Sequence, residues 1–238
     1  MLRKLIAGNW KMHGEQAWTI KPAGFDGMFK AADRSHLDVL ICPPFPYVRE
    51  MFAASASRNI LTGGQDCHAL EKGAHTGEVS AEMLADCGAS YVIVGHSERR
   101  AAGDTDADVH VKAMAAKRAG ITPIICVGES LAQRESGDAN NIVGAQLAGS
   151  VPECLTDYVI AYEPVWAIGT GKVASVDDIK DMHVHIRGIA GDTIRILYGG
   201  SVKPGNAAEI LSTENVDGAL IGGASLNMAD FAAIAKAA

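Results

Sequence analysis

Glu163 follows a short apolar run, so its carboxylate would lie at the C-terminal end of a predicted buried strand. The run, residues 158–162, contains β-branched and aromatic residues and one alanine, a composition typical of a buried parallel strand. Pro164 keeps Glu163 out of helical conformation and so gives its carboxylate a defined direction. A surface glutamate beside an ordinary turn is the alternative. The position predicts a catalytic base if other reactive side chains meet it.

The residues that follow have the composition of a loop that can close over a ligand. Gly169 and Gly171 allow backbone angles that other residues avoid. The same stretch superficially resembles a nucleotide-binding P-loop. However, Trp166 replaces the upstream glycine, and Val173 stands where Ser or Thr would bind Mg²⁺. The pattern therefore favours a lid over the Glu163 site and not a P-loop.

Eight short apolar runs could provide the frame for such a site. They are residues 5–8, 39–42, 60–63, 91–94, 121–127, 158–162, 194–198 and 219–221. Helix-like stretches separate most of them, for example residues 106–119, and residues 176–189 with Ser175 as the N-cap. Alternating strands and helices imply parallel pairing, and about eight such units close into a barrel. We predict an α/β fold in which residues 1–238 form a single (β/α)8 barrel domain.

An open doubly wound sheet is the competing architecture. It would normally carry a glycine-rich dinucleotide-binding turn after its first strand. Here that turn is Gly8-Asn9-Trp10-Lys11, so the fingerprint is absent. No linker rich in Pro, Gly and Ser divides the chain either, and the barrel is favoured.

Composition restricts the compartment and the partners. The 238 residues carry a net charge of −7, which argues against a general surface for nucleic acids or anionic membranes. The five cysteines form no C-x-x-C pair, and Cys42 and Cys126 lie in apolar runs as core thiols would. The N-terminal apolar run is too short for a signal peptide, and no later run approaches membrane-spanning length. We predict a cytoplasmic protein that binds neither nucleic acid nor membrane.

A barrel enzyme carries its chemistry just after the C-terminal ends of its strands, whereas a structural protein would scatter its polar residues. Five predicted strand ends carry suitable residues. They are Asn9 and Lys11 after the first strand; His96, Ser97 and Glu98 after the fourth; Glu163 after the sixth; Gly199, Gly200 and Ser201 after the seventh; and Gly222, Gly223, Ala224 and Ser225 after the eighth. This clustering predicts that Glu163 shares one site with the others.

Two glycine pairs at neighbouring strand ends predict a phosphate site. Gly199-Gly200-Ser201 and Gly222-Gly223 offer unobstructed backbone N–H groups and a hydroxyl. Each pair alone would more commonly be a turn. A phosphate site recurs after strands seven and eight of such barrels, so the two pairs together favour a bound phosphate group.

Lys11 and His96 would supply a cation and a neutral acid. Lys11 could be a Schiff-base nucleophile, an anion-binding cation or a surface lysine. Asn9 and Trp10 crowd it, and its charge beside a phosphate site suits stabilisation of an anionic substrate and transition state. His96 precedes a predicted helix start, where the helix dipole disfavours imidazolium. A structural histidine is the alternative there.

A base, a neutral acid, a cation and a phosphate site together indicate proton abstraction next to a carbonyl. We predict no metal site, because His183 and His185 lie two residues apart and not at the i, i+4 spacing of helical ligands. We expect surface or packing roles for them. Two other functions stay open: a Schiff-base aldolase with Lys11 as nucleophile, and a barrel that binds sugar phosphates without catalysis.

Five segments closely resemble the triosephosphate isomerase family. They are residues 8–12, 95–100, 161–172, 198–202 and 220–225, and the resemblance covers nearly the whole chain. Several long motifs in the correct order are more specific than any single glycine pattern. The resemblance implies interconversion of dihydroxyacetone phosphate and D-glyceraldehyde 3-phosphate through an enediolate, in glycolysis and gluconeogenesis, without a cofactor.

The resemblance also implies roles for the candidate catalytic residues. Glu163 would remove a carbon-bound proton and return it to the neighbouring carbon. His96 would move protons between the two oxygens of the enediolate. Lys11 and Asn9 would contact the substrate and stabilise the enediolate charge, and Glu98 would orient this network.

Phosphate contacts follow from the same resemblance. Backbone groups of Gly169, Gly222 and Gly223 would bind the phosphate together with Ser201. The loop at residues 165–170 would exclude water and hold the intermediate in a geometry that resists phosphate loss.

The segment 67–78 resembles the long intersubunit loop of the family. In that loop a threonine, here Thr76, reaches the neighbouring active site, and Glu78 lies beside it. The resemblance implies a homodimer. Without it, the segment is an exposed glycine-containing loop longer than a tight turn needs, which indicates function but names no partner.

Overall fold

Eight parallel strands close into a barrel, which confirms the predicted fold class. The computed structural model describes residues 2–168 and 174–238. In chain order the strands are β1 (Lys4–Asn9), β2 (Leu37–Cys42), β3 (Leu61–Gly64), β4 (Tyr91–Val94), β5 (Thr122–Val127), β6 (Val159–Tyr162), β7 (Arg195–Tyr198) and β8 (Gly218–Ile221). Successive strands pair with one another, and β8 pairs with β1 to close the ring. The bounds of β4 are those predicted, and the other bounds differ from the predicted runs by at most two residues at either end.

Helices follow the strands and cover the barrel. In the described residues they are α1 (Lys21–Met28), α2 (Val48–Ser55), α3 (Ala81–Asp86), α4 (Ser97–Ala101), α5 (Asp106–Ala119), α6 (Leu131–Glu135), α7 (Ala139–Ser150), α8 (Val176–Ala190), α9 (Ala207–Leu211) and α10 (Met228–Lys236). Short 3-10 turns include Val165–Ala167 after β6 and Gly223–Leu226 after β8. Within the same residues, no helix has the length and apolar character needed to cross a bilayer.

The two helices for which the sequence predicted bounds, α5 and α8, each begin directly after an N-cap residue. At α5 the Thr105 side chain accepts from the Asp108 N–H while the Asp108 carboxylate accepts from the Thr105 N–H. Gly120, at a left-handed φ of 73°, ends this helix. Ser175 and Asp178 form the same reciprocal pair at α8, which confirms Ser175 as the N-cap.

Burial on both faces of the strands explains why they are continuous apolar runs. Along β1, Leu5 and Ala7 pack inside the barrel, whereas Ile6 packs outward against the helices. The ring closes at Gly218, whose φ is 142°. A Cβ at this position would lie 1.9 Å from the carbonyl oxygen of Leu5. A residue other than glycine would therefore separate β8 from β1.

The cysteines predicted to be core thiols lie inside the barrel. Cys42 and Cys126 are fully buried, and burial raises the pKa of both thiols. Burial also raises the pKa of Cys67, to about 12. All five cysteines are free. The buried thiols are therefore protonated packing groups at neutral pH.

His183 is a buried packing residue of α8, as its sequence context predicts. Its Nδ1 lies 2.9 Å from the Asn215 carbonyl oxygen, which can only accept, so Nδ1 carries the proton. Nε2 is buried without a partner. Burial first, and the charge of Arg187 next, lower the pKa of His183 to about 4, although the bond to Asn215 opposes this. The imidazole is therefore neutral in the folded chain.

The lowered pKa of His183 makes stability depend on pH. Because its folded pKa is about 4 and its ordinary value 6.5, the unfolded chain takes up the proton first as pH falls. Its contribution, about 3 kcal/mol, is complete above pH 6.5 and is lost as pH falls towards 4. Urea unfolding should show this loss in the wild type and not in His183→Leu.

His185 provides the control for the His183 prediction. It lies two residues away on α8, is only half-buried, and contacts the Asn140 carbonyl oxygen at 3.0 Å. The His185→Leu variant should keep the wild-type pH dependence. Equal pH dependence in the wild type and His183→Leu would contradict the assignment.

Candidate active site

A cavity of about 600 Å³ lies at the C-terminal ends of the strands. It collects nearly all the predicted catalytic and phosphate-binding residues of the described chain. They are Asn9, Lys11, His96, Glu163, Gly199, Gly200, Ser201, Gly222 and Gly223. Three described residues from the same predicted strand ends do not line it: Ser97, Ser225 and Glu98, which lies behind Lys11. Gly169, Thr170 and Gly171 of the predicted lid lie outside the described residues.

Glu163 and His96 form a buried pair at the floor of the cavity. Glu163 is 2% exposed, and its Oε1 lies 2.9 Å from His96 Nε2. Its Oε2 accepts from the Ser97 N–H at 2.9 Å. A carboxylate so deep in the protein requires such donors. Both oxygens are therefore held toward β4, the strand that precedes His96.

His96 donates to Glu163 as a neutral imidazole. It caps α4, and its Nδ1 accepts from the Glu98 N–H at 3.2 Å. A nitrogen that accepts carries no proton, so the proton of a neutral ring must lie on Nε2. Nε2 is the atom that faces Glu163 and the cavity. Hence the N-terminus of α4 fixes both the tautomer and the direction of the donor.

Lys11 is held at both ends. Its backbone has a φ of 52°, in the left-handed region that lysine rarely adopts. Its N–H donates to Asn9 Oδ1 at 3.0 Å, and its Nζ donates to Glu98 Oε1 at 2.6 Å. A Cβ on Gly222 would lie 3.3 Å from Lys11 Cε. The lysine stem thus passes directly beside the glycines that follow β8.

Glu98 does not line the cavity, but it contacts two residues that do, Lys11 and His96. Its side chain is 58% exposed and lines a second, neighbouring cavity of about 340 Å³. Burial alone would raise the pKa of Glu98, but the hydrogen bond and the charge of Lys11 outweigh it, so the pKa lies below its ordinary value. Glu98 is therefore an anion that holds the ammonium of Lys11.

The two glycine segments predicted to bind phosphate lie side by side. Gly199 to Ser201 follow β7, and Gly222 and Gly223 lead from β8 into a 3-10 turn. Ser201 Oγ donates to the Ala167 carbonyl oxygen at 3.1 Å. This bond connects the end of β7 to the segment that follows Glu163. The backbone amides of the two glycine segments and the nearby Lys11 form a wall of the cavity that is suitable for binding an anion.

Thr76 and Glu78 lie away from the substrate-sized cavity. Both are exposed on the loop after β3, and Glu78 lines the second cavity. Thr76 lines neither cavity. Within residues 2–168 and 174–238, no group of three or more His, Cys, Asp or Glu residues could hold a metal ion.

Sequence reasoning missed two residues that support the site. Glu129, fully buried after β5, accepts from Trp166 Nε1 at 2.8 Å and from Arg134 Nε at 2.7 Å, and its backbone oxygen accepts from the Val165 N–H. It therefore fixes the segment directly after Glu163. Gln65, after β3, contacts the backbone of Lys11. Both follow a predicted strand, so the strand-end rule could have found them.

Comparisons with known proteins agree along the whole chain. A family model described as triosephosphate isomerase matches residues 4–238. A protein of Chelativorans sp. (strain BNC1) named triosephosphate isomerase is 53% identical over 246 residues, which cover 99% of this chain and 97% of that one. A protein of that name from Ruegeria sp. (strain TM1040) is 52% identical over 247 residues, covering 100% and 98%. The crystal structure of triosephosphate isomerase from Bartonella henselae has a TM-score of 0.90 at 43% identity, covering 99% of each chain.

Proposed function

The chain belongs to the triosephosphate isomerase family, and we propose that Glu163 is its catalytic base. The protein interconverts dihydroxyacetone phosphate and D-glyceraldehyde 3-phosphate, a step of glycolysis and gluconeogenesis. The observation that best supports the role of Glu163 is its contact with His96: a buried carboxylate 2.9 Å from Nε2, in a cavity that Lys11 also lines. A base, an acid and a cation are thus in mutual reach.

Glu163 moves the proton between carbons. It removes a proton from the hydroxymethyl carbon of dihydroxyacetone phosphate, which leaves an enediolate, and returns it to the former carbonyl carbon. Substrate and product are isomers, so no atom is gained or lost. In this structure one carboxylate oxygen binds the Ser97 N–H and the other binds His96 Nε2. The carboxylate therefore gives up at least one of these two contacts when it takes a proton from the substrate.

His96 and Lys11 stabilise the oxygens of the enediolate. The Nε2–H of His96 donates to them and transfers the proton from one to the other. The Lys11 ammonium and the Asn9 amide act on the developing negative charge. Glu98 holds the ammonium through its 2.6 Å contact with Lys11 Nζ. The roles of all four residues are supported by their positions at the ends of β1 and β4.

Ser201, Gly222 and Gly223 bind the substrate phosphate. These roles are supported by the positions of the three residues, which lie on one wall of the cavity after β7 and β8 with Lys11 beside them. The Ser201 hydroxyl, which donates to Ala167 in this structure, turns to a phosphate oxygen instead. By resemblance, the N–H of Gly169 adds a contact from the lid.

Exchange of solvent deuterium into substrate tests the reaction. The protein should be produced in a host deleted for its own isomerase, because traces of that enzyme would give a false signal. In D₂O, we expect deuterium on carbon in both triose phosphates.

Borohydride added with substrate should trap no protein adduct, since an adduct would indicate the aldolase alternative through Lys11. Binding without exchange would indicate a non-catalytic barrel.

We also infer a cytoplasmic homodimer in which each chain is one domain. The loop with Thr76 and Glu78 provides the contact by resemblance. Apolar exposure supports it: Met12 is 94% exposed, and it lines the second cavity together with Phe45. A partner loop inserted there would bury both side chains. Sedimentation equilibrium decides between the dimer and a monomer.

A further inference from the structure

Lys21 connects the segment after β1 to the phosphate wall, the part of the cavity formed by the glycine segments after β7 and β8. It is the first residue of α1, and its Nζ donates to the Leu226 carbonyl oxygen. Leu226 is the last residue of the 3-10 turn that begins at Gly223, one of the proposed phosphate-binding residues. One hydrogen bond thus joins two parts of the chain that are 205 residues apart.

Two tryptophan rings hold the ammonium of Lys21 in place. Its Nζ lies 3.3 Å from the ring centroid of Trp18 and 5.6 Å from that of Trp10, and both distances are within the range of a cation–π contact. The two rings meet edge to face. Glu15 Oε1 accepts from Trp18 Nε1 at 3.0 Å and so fixes the ring on which the ammonium rests. The ammonium therefore has a defined position relative to the Leu226 carbonyl.

Lys21 lies behind the wall of the substrate cavity. Trp10 and Leu226 line that cavity, and Lys21 does not. Burial lowers the pKa of Lys21, and the charge of Glu15 opposes this shift, so the ammonium has exchanged part of its water for protein contacts. A carbonyl at the end of a helical turn is a favourable partner for a cation. The bond therefore holds the last residue of a turn whose first residue lines the cavity.

We propose that Lys21 is a positioning residue for substrate binding, and that it acts by holding the 3-10 turn Gly223–Leu226 where the turn meets the substrate phosphate. Within the turn, the Ser225 N–H and hydroxyl both donate to the Gly222 carbonyl oxygen, at 2.8 and 2.7 Å. Lys21 supplies the contact from outside the turn. Because it does not line the cavity, its influence passes through the Leu226 carbonyl. The inference rests on the proposed phosphate-binding role of Gly223.

A general contribution to stability is the alternative, and Lys236 provides the matched control. This lysine is the last residue of α10, and its Nζ lies 5.9 Å from the ring centroid of Phe29. It does not line the cavity. Lys236→Met therefore removes one positive charge and one cation–π contact while the bond from Lys21 to Leu226 stays in place.

The main variant is Lys21→Met, which keeps the apolar stem but has neither a donor nor a charge. We expect the KM for D-glyceraldehyde 3-phosphate and the inhibition constant of inorganic phosphate each to rise about three- to tenfold, as the loss of one cationic contact would cause. The value of kcat should change little, since the lost interaction contributes equally to substrate and transition state. Lys21→Arg keeps the charge and the donors and can stack on the rings, so it should restore both constants. Lys236→Met should leave both constants at the wild-type value.

Hydrogen exchange gives a readout that does not depend on activity. The Ser225 amide is bonded inside the turn, so its exchange rate reports local opening of the turn. We expect it to exchange faster in Lys21→Met and at the wild-type rate in Lys236→Met. If Lys21→Met fails to fold, Trp18→Leu replaces it, because it removes the ring next to the ammonium and leaves the lysine in place.

Four outcomes overturn the proposal. They are unchanged KM and inhibition constants in Lys21→Met, an equal rise of these constants in Lys236→Met, an unchanged exchange rate at Ser225, and a rise that high ionic strength abolishes. The last result would mean that Lys21 only attracts the substrate anion over a distance.

Ser201→Ala tests the phosphate wall itself. If this variant binds inorganic phosphate as tightly as the wild type, the proposed phosphate site is wrong, and the exchange rate at Ser225 alone decides whether Lys21 holds the turn. Weaker phosphate binding in Ser201→Ala together with normal binding in Lys21→Met would contradict only the role of Lys21.

Discussion

Glu163→Gln is expected to lower kcat by about 10²- to 10⁴-fold, the contribution typical of a positioned general base. The amide is nearly isosteric but does not take up a proton at neutral pH. Phosphate binding depends on other residues, so the inhibition constant of inorganic phosphate should change little. Steady-state rates in both directions, with phosphate as competitive inhibitor, measure the two quantities separately.

The contacts of Glu163 predict a modest stability cost for the same variant. A glutamine can still accept from the Ser97 N–H, but its NH₂ group then faces the Nε2–H of His96. Two donors in contact repel each other. Relief through the other tautomer of His96 would lose the bond from the Glu98 N–H. We therefore expect a lower melting temperature with the fold intact.

Asp230 is the control for the Glu163 variant. Among the described residues that line the cavity, it is the only other carboxylate. It lies in the first turn of α10 and has no contact with His96. Asp230→Asn should leave kcat close to the wild-type value. A large loss in Asp230→Asn with normal turnover in Glu163→Gln would assign the base to Asp230 and contradict our assignment.

The barrel could be predicted because its strands are buried on both faces. A parallel strand covered by helices is a continuous apolar run, so its end is visible in the sequence as the first polar residue or glycine. Glu163, His96 and Lys11 all lie at such ends. Since the ends of parallel strands meet at one face of the barrel, a linear pattern predicted which side chains share the cavity.

Contacts between distant parts of the chain could not be predicted in the same way. The conformation of Lys11 is an example: local preference would place glycine or asparagine at a left-handed φ. The carbonyl of this lysine accepts a hydrogen bond from Gln65, which is 54 residues away in the chain. Glu129 likewise looks like a loop residue, and only its buried contact with Trp166 connects it to Glu163. Such tertiary hydrogen bonds override local propensity and have no sequence period.

Lys11→Met is expected to lower kcat by about 10²- to 10³-fold, the usual cost of removing one group that stabilises a developing oxyanion. Methionine keeps the length and the apolar stem that passes Gly222. The loss should therefore come from the charge and not from packing. KM should rise as well, because the ammonium also lies beside the phosphate wall. Both constants should be measured at low and high ionic strength.

A second lysine of the same cavity separates local from long-range effects of charge. Lys203 lines the cavity but is exposed, and its side chain has no contact with Glu98. Lys203→Met removes the same charge and should mainly raise KM, with an effect that salt abolishes because exposed charges are screened. The effect of Lys11→Met on kcat should persist in salt, since that ammonium is held by Glu98 within reach of the reacting oxygens. Equal, salt-sensitive losses in both variants would mean that Lys11 only attracts the substrate anion and takes no part in the proton transfer.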